Sequence, residues 1–346
     1  MPEPIPRGGT ISVPAHESAP FGAVFTEKMA LSRWDGERWE DSHLEPVAPL
    51  PIHPAAHVLH YSSSVFEGLK AHRGMTGELR LFRLDRHIER MQASARLLCL
   101  PIPEGPLLER MIIDVVDSAR QVIPEPPGSL YLRPTLIGTE ANVGAAAAPS
   151  KEALLYVLAS PVGDYFSGGI RPLKVVVEEH RPRSTPSFGM AKTGANYAAA
   201  LGLIMEAKHT HSADQVLFAP GGDVQETGAA NFILLDDQRV LTKPLDPSFL
   251  PGVTRDSVLV IARDLGYDVV EADFTIDEML EFASAGEAAL SGTAALLAGV
   301  GTILHDGVEY KVGSGQVGPN TLRLRAALTA LQTGATPDPH GWISTI

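Results

Sequence analysis

The segment FGMAKTGANYAAALG, residues 188–202, places one lysine, Lys192, among glycine, alanine, methionine and threonine. A surface lysine usually has polar neighbours, whereas side chains this small let another group approach the backbone closely. Tyr197 and the apolar residues Leu201 and Met205 recur with the spacing of a helix face. The segment therefore predicts a lysine just before a helix, beside a group that the rest of the chain must identify.

The totals describe an acidic protein of ordinary composition. Among the 346 residues, 28 are Lys or Arg and 41 are Asp or Glu, a net charge of −13. A chain of this length is typical of about two domains. It buries about three quarters of its unfolded surface, so it needs no disulfide or metal for stability. The charge argues against general nucleic-acid binding, which requires a basic face.

Cys99 is the only cysteine, so no internal disulfide can form and a reducing compartment is expected. Its apolar context, ARLLCLP, predicts a core residue. No apolar signal-peptide core is visible near the start, and we expect a cytoplasmic location. Prolines recur through residues 1–20, which we expect to form a flexible arm.

The uncharged run 288–304 is broken by serine, threonine and glycine. A membrane span needs about 20 predominantly apolar residues. We therefore predict two buried strands around a turn and no association with a membrane.

Apolar spacing predicts helices over residues 85–101, with Asp85 as N-cap, and over residues 107–123. Residues 129–138 and 152–163 have the composition of strands. In the second half, a further helix over residues 254–267 is expected to stop at Gly266.

Strands and helices are mixed without strict alternation, which is typical of an α+β fold. The segment 160–172 is rich in proline and glycine and predicts a linker. We expect two domains: a small N-terminal domain over 21–162, an interdomain loop over 163–174 and a large C-terminal domain over 175–346.

Lys192 does not belong to a phosphate-binding P-loop, because alanine precedes it where that motif requires glycine. A nucleophilic lysine remains open, since an apolar setting favours the neutral amine. If Lys192 forms a Schiff base with pyridoxal 5'-phosphate, the chain must also supply a carboxylate for the ring nitrogen, a phosphate site and a donor for the phenolic oxygen.

Candidates for these partners exist, each with an ordinary alternative. Glu226 follows a strand among small residues, and it would otherwise be an exposed hairpin glutamate. Gly252, Val253 and Thr254 begin a helix whose free N–H groups would bind an anion, although Thr254 could simply cap that helix. The SGTA turn at residues 291–294 is a second candidate anion site. Tyr197 would reach the same pocket, or serve as a core aromatic.

Seven blocks in one order make the chain resemble the branched-chain amino-acid aminotransferases, pyridoxal phosphate enzymes of fold type IV. The blocks are LHYSSSVFEGLKAHRG (59–74), LYLRPTLIGTEANVG (130–144), SPVGDYF (160–166), MAKTGANYAAAL (190–201), VQETGAANFIL (224–234), LPGVTRDS (250–257) and LSGTAALL (290–297). The resemblance runs from about residue 21 to the C-terminus. It implies a homodimer with a smaller N-terminal α/β domain and a larger cofactor-binding domain.

The resemblance also implies roles around the cofactor. Lys192 carries the pyridoxal 5'-phosphate and later moves the proton, Glu226 pairs with the ring nitrogen, and Tyr197 bonds the phenolic oxygen. The remaining implied cofactor contacts are Arg90, Leu250, Gly252, Val253, Thr254 and Thr293. Without the resemblance, Arg90 would be interpreted as one partner of an ion pair on a helix surface.

The implied substrate pocket is apolar and aromatic, and takes branched-chain L-amino acids, their 2-keto acids, glutamate and 2-oxoglutarate. Its residues are Phe21, Tyr61, Phe66, Tyr131, Arg133, Val143, Tyr165, Thr227, Thr293 and Ala294. Arg133 helps to accept the second carboxylate of glutamate, and Val143 enters the pocket of the neighbouring subunit. Mammalian relatives carry a Cys-x-x-Cys pair where this chain has Ala295 and Ala298, so thiol control there is absent.

Three other interpretations remain. A D-amino-acid aminotransferase or an aminodeoxychorismate lyase would share the lysine and the glutamate. A non-enzymatic protein that kept the fold would not need the full set of cofactor residues. His53, His57 and His60 have helical spacing for a metal, but Pro51 and Pro54 interrupt that helix, and we expect no metal.

Overall fold

The computed structural model describes residues 21–165 and 169–346. The described residues form two β-sheets with helices packed against each of them. The first sheet comes from the N-terminal half, joined by one strand from the C-terminus, and the second comes from the C-terminal half. The predicted arm, residues 1–20, lies outside the described residues.

The first sheet is antiparallel throughout. Its strands are β1 (Lys28–Trp34), β2 (His43–Pro46), β3 (Ser64–Phe66), β4 (Leu69–Arg73), β5 (Leu79–Phe82), β6 (Ser129–Gly138), β7 (Ala153–Val162) and β16 (Ile343–Thr345). They lie in the order β16-β5-β4-β6-β7-β1-β2, with β3 paired to β6. The two strands predicted at 129–138 and 152–163 are confirmed as the adjacent pair β6 and β7.

The helices of this half are α1 (His57–Tyr61), α2 (Leu84–Leu97) and α3 (Gly105–Ser118). Apolar residues of α2 and α3 form a core with the strands, and the predicted face of α2, with Ile88, Met91 and Ala95, is buried. Each fully buried side chain of this kind contributes about 1.5–3 kcal/mol. The first core therefore depends on α2 and α3 packing against the strands.

The predicted start of α2 was wrong by about two residues. Arg83, with φ 53°, is the N-cap, and Asp85 lies in the first turn. The guanidinium of Arg83 binds Asp256 and Ser257, which lie 173 and 174 positions later in the chain. A tertiary contact, rather than a side-chain cap, thus sets where this helix begins.

The second sheet is mixed, with the order β12-β11-β10-β13-β14-β8-β9 and β15 paired to β14. Its strands are β8 (Leu173–Glu178), β9 (Gln215–Phe218), β10 (Asn231–Leu235), β11 (Arg239–Thr242), β12 (Asp268–Glu271), β13 (Glu287–Gly292), β14 (Leu296–His305) and β15 (Val308–Lys311). Its helices are α4 (Gly194–His211), α5 (Val253–Asp264), α6 (Ile276–Ala285) and α7 (Pro319–Thr333).

The end of β11, the start of β10 and the turn between β13 and β14 lie at one edge of this sheet. Strands β11 and β12 are parallel, so the chain between them must cross over, and it does so through α5. The N-terminus of α5 therefore follows the end of β11. The adjacent strand β10 is antiparallel to both β11 and β13, which places its first residue, Asn231, opposite Ser291 near the turn into β14.

The segment that carries Lys192 links the two sheets. The backbone carbonyl of Lys192 accepts a hydrogen bond of 3.0 Å from the Phe66 N–H. The backbone N–H of Lys192 donates a hydrogen bond of 3.0 Å to Ser94 Oγ of α2. Thr193 pairs with Val65 in an isolated bridge and caps α4 through its side chain. Lys192 is thus fixed by its backbone at the junction of the sheets.

We propose the two expected domains, 21–162 and 175–346, because the first range holds seven strands of the first sheet and the second sheet begins only at Leu173, inside the expected loop 163–174. The C-terminal strand β16 pairs with β5 and so returns to the first sheet. The predicted linker began too early, since β7 continues to Val162. Part of the loop, residues 166–168, lies outside the described residues.

Cys99 is exposed, so the prediction of a core residue was wrong. It follows α2 with φ 51°, and the next N–H, of Leu100, bonds back to the carbonyl of Ala95. This left-handed turn closes the helix. It directs Leu100 rather than Cys99 into the core, where Leu100 is buried.

The apolar face predicted for α4 was also wrong in part. Leu201 and Met205 are exposed, while Ala200 and Ala207 are buried. By contrast, the run 288–304 does form two buried strands, β13 and β14. Among the described residues, every helix is too short or too polar to span a bilayer.

Gly189 lies against the backbone of the segment before α5. An added Cβ would lie 1.9 Å from the Ser248 carbonyl oxygen and 2.5 Å from the Phe249 nitrogen. We therefore expect Gly189→Ala to destabilise the protein by about 1–3 kcal/mol, measured by urea unfolding. Gly202→Ala, in open space on α4, is the matched control and should stabilise by up to about 1 kcal/mol. Equal midpoints for the two variants would contradict this account.

Candidate active site

A cavity of about 370 Å³ opens between the two sheets. Its lining combines the segment before α4, the N-terminus of α5, the β13–β14 turn and aromatic residues of the first half. Most residues predicted for the site line it: Phe21, Phe66, Arg90, Tyr131, Arg133, Tyr165, Lys192, Tyr197, Glu226, Leu250, Gly252, Val253, Thr254, Thr293 and Ala294. The structure thus brings together residues separated by more than 200 positions.

The Lys192 amine lies in the cavity beside aromatic groups. Its Nζ donates to the hydroxyl of Tyr197 at 2.9 Å. The ring centres of Phe66 and Tyr197 are 5.1 and 5.4 Å from Nζ. Tyr197 belongs to the first turn of α4, so the two groups share one helical start and Tyr197 is not merely a core aromatic.

Glu226 is buried, with 3% of its surface exposed, so it is not a hairpin glutamate in solvent. Asn231 Nδ2 donates to its Oε2 at 2.9 Å, and the Leu250 N–H donates to its Oε1 at 3.0 Å. Arg183 Nη2 lies 2.6 Å from the same Oε1. Burial raises the pKa of Glu226 to about 7, although the charge of Arg183 acts in the opposite direction.

The start of α5 has the properties of an anion site. Gly252 is its N-cap and makes no side-chain capping bond, so Thr254 is not the cap. A Cβ on Gly252 would lie 1.9 Å from Asn231 Oδ1, which explains why glycine occupies this position. The free N–H groups and the helix dipole both favour negative charge at this end.

Arg90 points its guanidinium toward the same helix start. Its Nη1 donates to the Pro251 carbonyl, and its Nε and Nη2 donate to the two carboxylate oxygens of Glu67 at 2.7 and 2.8 Å. His87 contacts Glu67 at 2.8 Å. Burial would raise the pKa of Glu67, but the charge and hydrogen bonds of Arg90 outweigh it and hold that pKa far below its usual range.

The β13–β14 turn is held from behind by cations. Lys70 Nζ donates to the Ala294 carbonyl at 2.9 Å, and Arg325 donates to the carbonyls of Ala295 and Leu297. Burial lowers the pKa of Lys70 to about 8. Ser291, 2% exposed, lines the cavity, and its Oγ has no hydrogen-bond partner among the described residues.

Aromatic rings form the opposite wall. Phe21 packs edge-on against Tyr131 and Tyr165, with ring centres 5.0 and 5.7 Å apart. Arg133 lies 4.7 Å from the ring centre of Phe66 and donates to the Tyr131 hydroxyl at 2.9 Å. The wall is therefore apolar, with one cation among its rings.

Three predicted residues lie outside the cavity lining. Thr227 is buried and bonds to the backbone of Ala230. Tyr61 donates its hydroxyl to the Val143 carbonyl. Val143 is 61% exposed, so within one chain it does not complete the pocket.

Sequence reasoning missed five residues that support the site, of which Asn231 itself lines the cavity: Glu67, Lys70, Arg183, Asn231 and Arg325. Four of these are ionisable, and Glu67, Lys70 and Arg183 are buried. Charged residues inside apolar blocks, as in SVFEGLK, were the available signal, because such groups are rarely buried without a partner. Glu67 and Arg90 lie 23 positions apart, Arg183 and Glu226 lie 43 apart, and Lys70 and Ala294 lie 224 apart, beyond what spacing reveals.

The three histidines considered for a metal use their rings in separate hydrogen bonds. His57 contacts Ser63 Oγ and backbone carbonyls, His60 contacts the Pro54 carbonyl, and His53 accepts from the Ala55 N–H. Each of the three rings is thus engaged by a different partner.

Comparison with known proteins agrees with this geometry. The sequence profile of the class IV amino-transferases matches residues 64–303. A probable branched-chain-amino-acid aminotransferase of Streptomyces coelicolor is 40% identical over 337 residues, covering 94% of this chain and 92% of that protein. The branched-chain-amino-acid aminotransferase of Mycobacterium tuberculosis is 38% identical over 341 residues, covering 94% and 91%.

Solved structures agree as well. A branched-chain amino acid aminotransferase of Thermobaculum terrenum, with pyridoxal phosphate bound, superimposes with a TM-score of 0.76 at 20% identity, covering 93% of this chain and 98% of that one, which supports the fold. The Escherichia coli enzyme gives 0.75 at 27% identity, covering 90% and 98%. The chain therefore belongs to the class IV amino-transferases, in the branched-chain amino-acid aminotransferase family.

Proposed function

We propose that this protein transfers the amino group of leucine, isoleucine or valine to 2-oxoglutarate with pyridoxal 5'-phosphate as cofactor. The observation that carries the proposal is the position of the Lys192 amine, in one cavity with a buried carboxylate and a helix N-terminus. The names of the relatives support the substrate class.

The residues that line the cavity fit the chemical groups of this cofactor. A phosphate suits the start of α5, where Val253, Thr254 and Arg90 offer N–H groups and positive charge, and Thr293 adds a hydroxyl from the turn. Glu226 suits a protonated ring nitrogen. Tyr197 suits the phenolic oxygen, while Leu250 offers an apolar surface to the ring, and Gly252 leaves room beside the phosphate site.

Lys192 has two tasks in this proposal, to hold the cofactor covalently and to move a proton. Bound pyridoxal phosphate supplies an electron sink for the pair left at the substrate Cα. Freed from the cofactor by the substrate amine, Lys192 Nζ would be the base that takes the proton from the substrate Cα and the acid that later returns it. Glu226, ionised, holds the ring nitrogen protonated throughout. Water would then release the keto acid and leave the amino group with the cofactor, from which a second keto acid, 2-oxoglutarate, would accept it.

The substrate contacts follow from the lining. The backbone N–H groups of Thr293 and Ala294 suit the α-carboxylate, since the carbonyl behind them is held by Lys70. Phe21, Phe66, Tyr131 and Tyr165 suit a branched apolar side chain. Arg133 suits the second carboxylate of glutamate, whose buried charge requires a partner.

We also propose a homodimer in the cytoplasm. Val143 is exposed and Tyr61 half-buried, and the two are joined by a hydrogen bond outside the cavity. In a dimer, Val143 would face the substrate pocket of the neighbouring subunit, while Thr227 supports the pocket wall from behind. A single exposed cysteine favours a reducing compartment.

A D-amino-acid aminotransferase or an aminodeoxychorismate lyase is the second candidate, because the lysine, glutamate and phosphate site would serve either. Initial rates with L-leucine and with D-alanine separate the candidates. Faster turnover of D-alanine would reject the proposed substrate class. A non-enzymatic protein would turn over neither substrate.

Reduction of the cofactor-loaded protein with borohydride should attach the cofactor permanently to one lysine. Peptide mapping by mass spectrometry is expected to find the label on Lys192, since its amine lies in the cavity. A label on another lysine, or none, would reject the proposed site.

Lys192→Ala should lower the rate with leucine and 2-oxoglutarate by at least about 10³-fold, because it removes both the attachment point and the proton carrier. Lys208→Ala, an exposed lysine in the last turn of α4, is the matched control and should be unaffected. Wild-type turnover by Lys192→Ala would show the mechanism to be wrong.

Arg133→Met should separate the two substrate classes. Methionine fills the space between Phe66 and Tyr131 without a charge, and loss of a charged hydrogen bond costs about 1.5–3 kcal/mol. We expect KM for glutamate to rise about tenfold or more, with KM for leucine little changed, in steady-state assays. Equal losses for both substrates would contradict this role for Arg133.

A further inference from the structure

Arg183 is a buried arginine to which the proposed function assigns no part in binding the cofactor or the substrate. Its side chain is 4% exposed, as is that of Glu226. Its Nη2 lies 2.6 Å from Glu226 Oε1 and donates to the Gly189 carbonyl at 2.9 Å. One guanidinium therefore contacts both the carboxylate and the segment that leads to Lys192.

The charges that face Glu226 are those of Arg183, Lys192 and Arg90. The neutral donors are Asn231 and the Leu250 N–H. Arg90 already forms a two-point pair with Glu67, and its remaining charge is directed to the proposed phosphate site. In the proposed function, Lys192 is bound to the cofactor through its amine. Arg183 is then the one cation among these three that still serves Glu226.

We propose that Arg183 is a positioning residue that keeps the Glu226 carboxylate ionised and aimed at the ring nitrogen of the cofactor. This inference rests on the proposed function. An isolated buried carboxylate is strongly disfavoured and takes up a proton instead. A neutral Glu226 would not hold a protonated ring nitrogen.

The effect of Arg183 on the pKa of Glu226 agrees with this geometry. Burial raises the pKa of Glu226 to about 7, and Arg183 is the largest influence that lowers it. Removing Arg183 therefore raises that pKa further, so the carboxylate is neutral at a pH where the wild type is partly ionised. The loss caused by removing Arg183 must therefore become smaller as the pH rises through the raised pKa of Glu226, because the carboxylate is then ionised without Arg183.

The contact with Gly189 gives the same residue a second point of attachment. Gly189 packs on the backbone of Ser248 and donates its N–H to the Pro247 carbonyl. This packing fixes the carbonyl that Arg183 binds. The guanidinium is thereby oriented without help from the cofactor, as a positioning residue requires.

The test measures binding of pyridoxal 5'-phosphate to the apoprotein by absorbance titration. Wild type is compared with Arg183→Met, Arg183→Lys and Arg80→Met. Arg80 is a half-buried arginine that pairs with Glu78 outside the cavity. A second ligand, the 1-deaza analogue with CH in place of the ring nitrogen, isolates the contact with Glu226.

Arg183→Met should weaken binding of pyridoxal 5'-phosphate by about tenfold or more near pH 6.5, and by clearly less near pH 8.5. Its affinity for the 1-deaza analogue should match that of wild type at both values. Arg183→Lys, which keeps a charge, should recover most of the loss, and Arg80→Met should show none.

A loss that is the same for both ligands, or independent of pH, would overturn the inference, as would no loss. If Arg183→Met yields no folded apoprotein, Arg183→Gln takes its place with the same expected outcomes. Failure of the wild type to bind pyridoxal 5'-phosphate would instead reject the proposed function. Wild-type binding with an unaffected Arg183→Met rejects this inference alone.

Discussion

Burial of carboxyl groups is the constraint on which this structure depends. Glu67, Glu226 and Glu287 are buried, and each must be surrounded by donors because water is excluded. Glu67 binds Arg90 on α2, Glu226 binds Asn231 and the Leu250 N–H, and Glu287 accepts bonds from the first residues of α7. Except for Asn231, these donors lie 23 or more positions from the carboxyl group that they bind, so providing hydrogen bonds to the three carboxyl groups also fixes how the elements pack.

The same constraint organises the chemistry of the cavity. Positive charge and free N–H groups gather at the start of α5, while Glu226, in the segment before β10, is the one carboxyl group among the described residues that line the cavity. The Lys192 amine lines the same cavity, beside the Tyr197 hydroxyl. A cofactor with a phosphate at one end and a basic ring nitrogen at the other matches this separation of charge. The aromatic wall leaves the remaining space to an apolar side chain.

Regular segments were predictable because their side-chain spacing depends on local geometry alone. Strands β6 and β7 and the buried face of α2 were predicted correctly. Cys99 was not, because one left-handed residue rotates the chain after α2 and changes which neighbour is buried. Leu201 was misjudged because apolar spacing does not reveal which face of a helix another element covers.

The amino-acid sequence alone determined the family, the lysine and most of the cavity lining, since these follow from short blocks whose order and composition are distinctive. Only the tertiary structure decided how the charges are paired. Glu67 with Arg90, and Glu226 with Arg183, are joined across 23 and 43 positions. Such pairs form because folding removes both partners from water at one point in space, and nothing in the local sequence of either residue specifies the other.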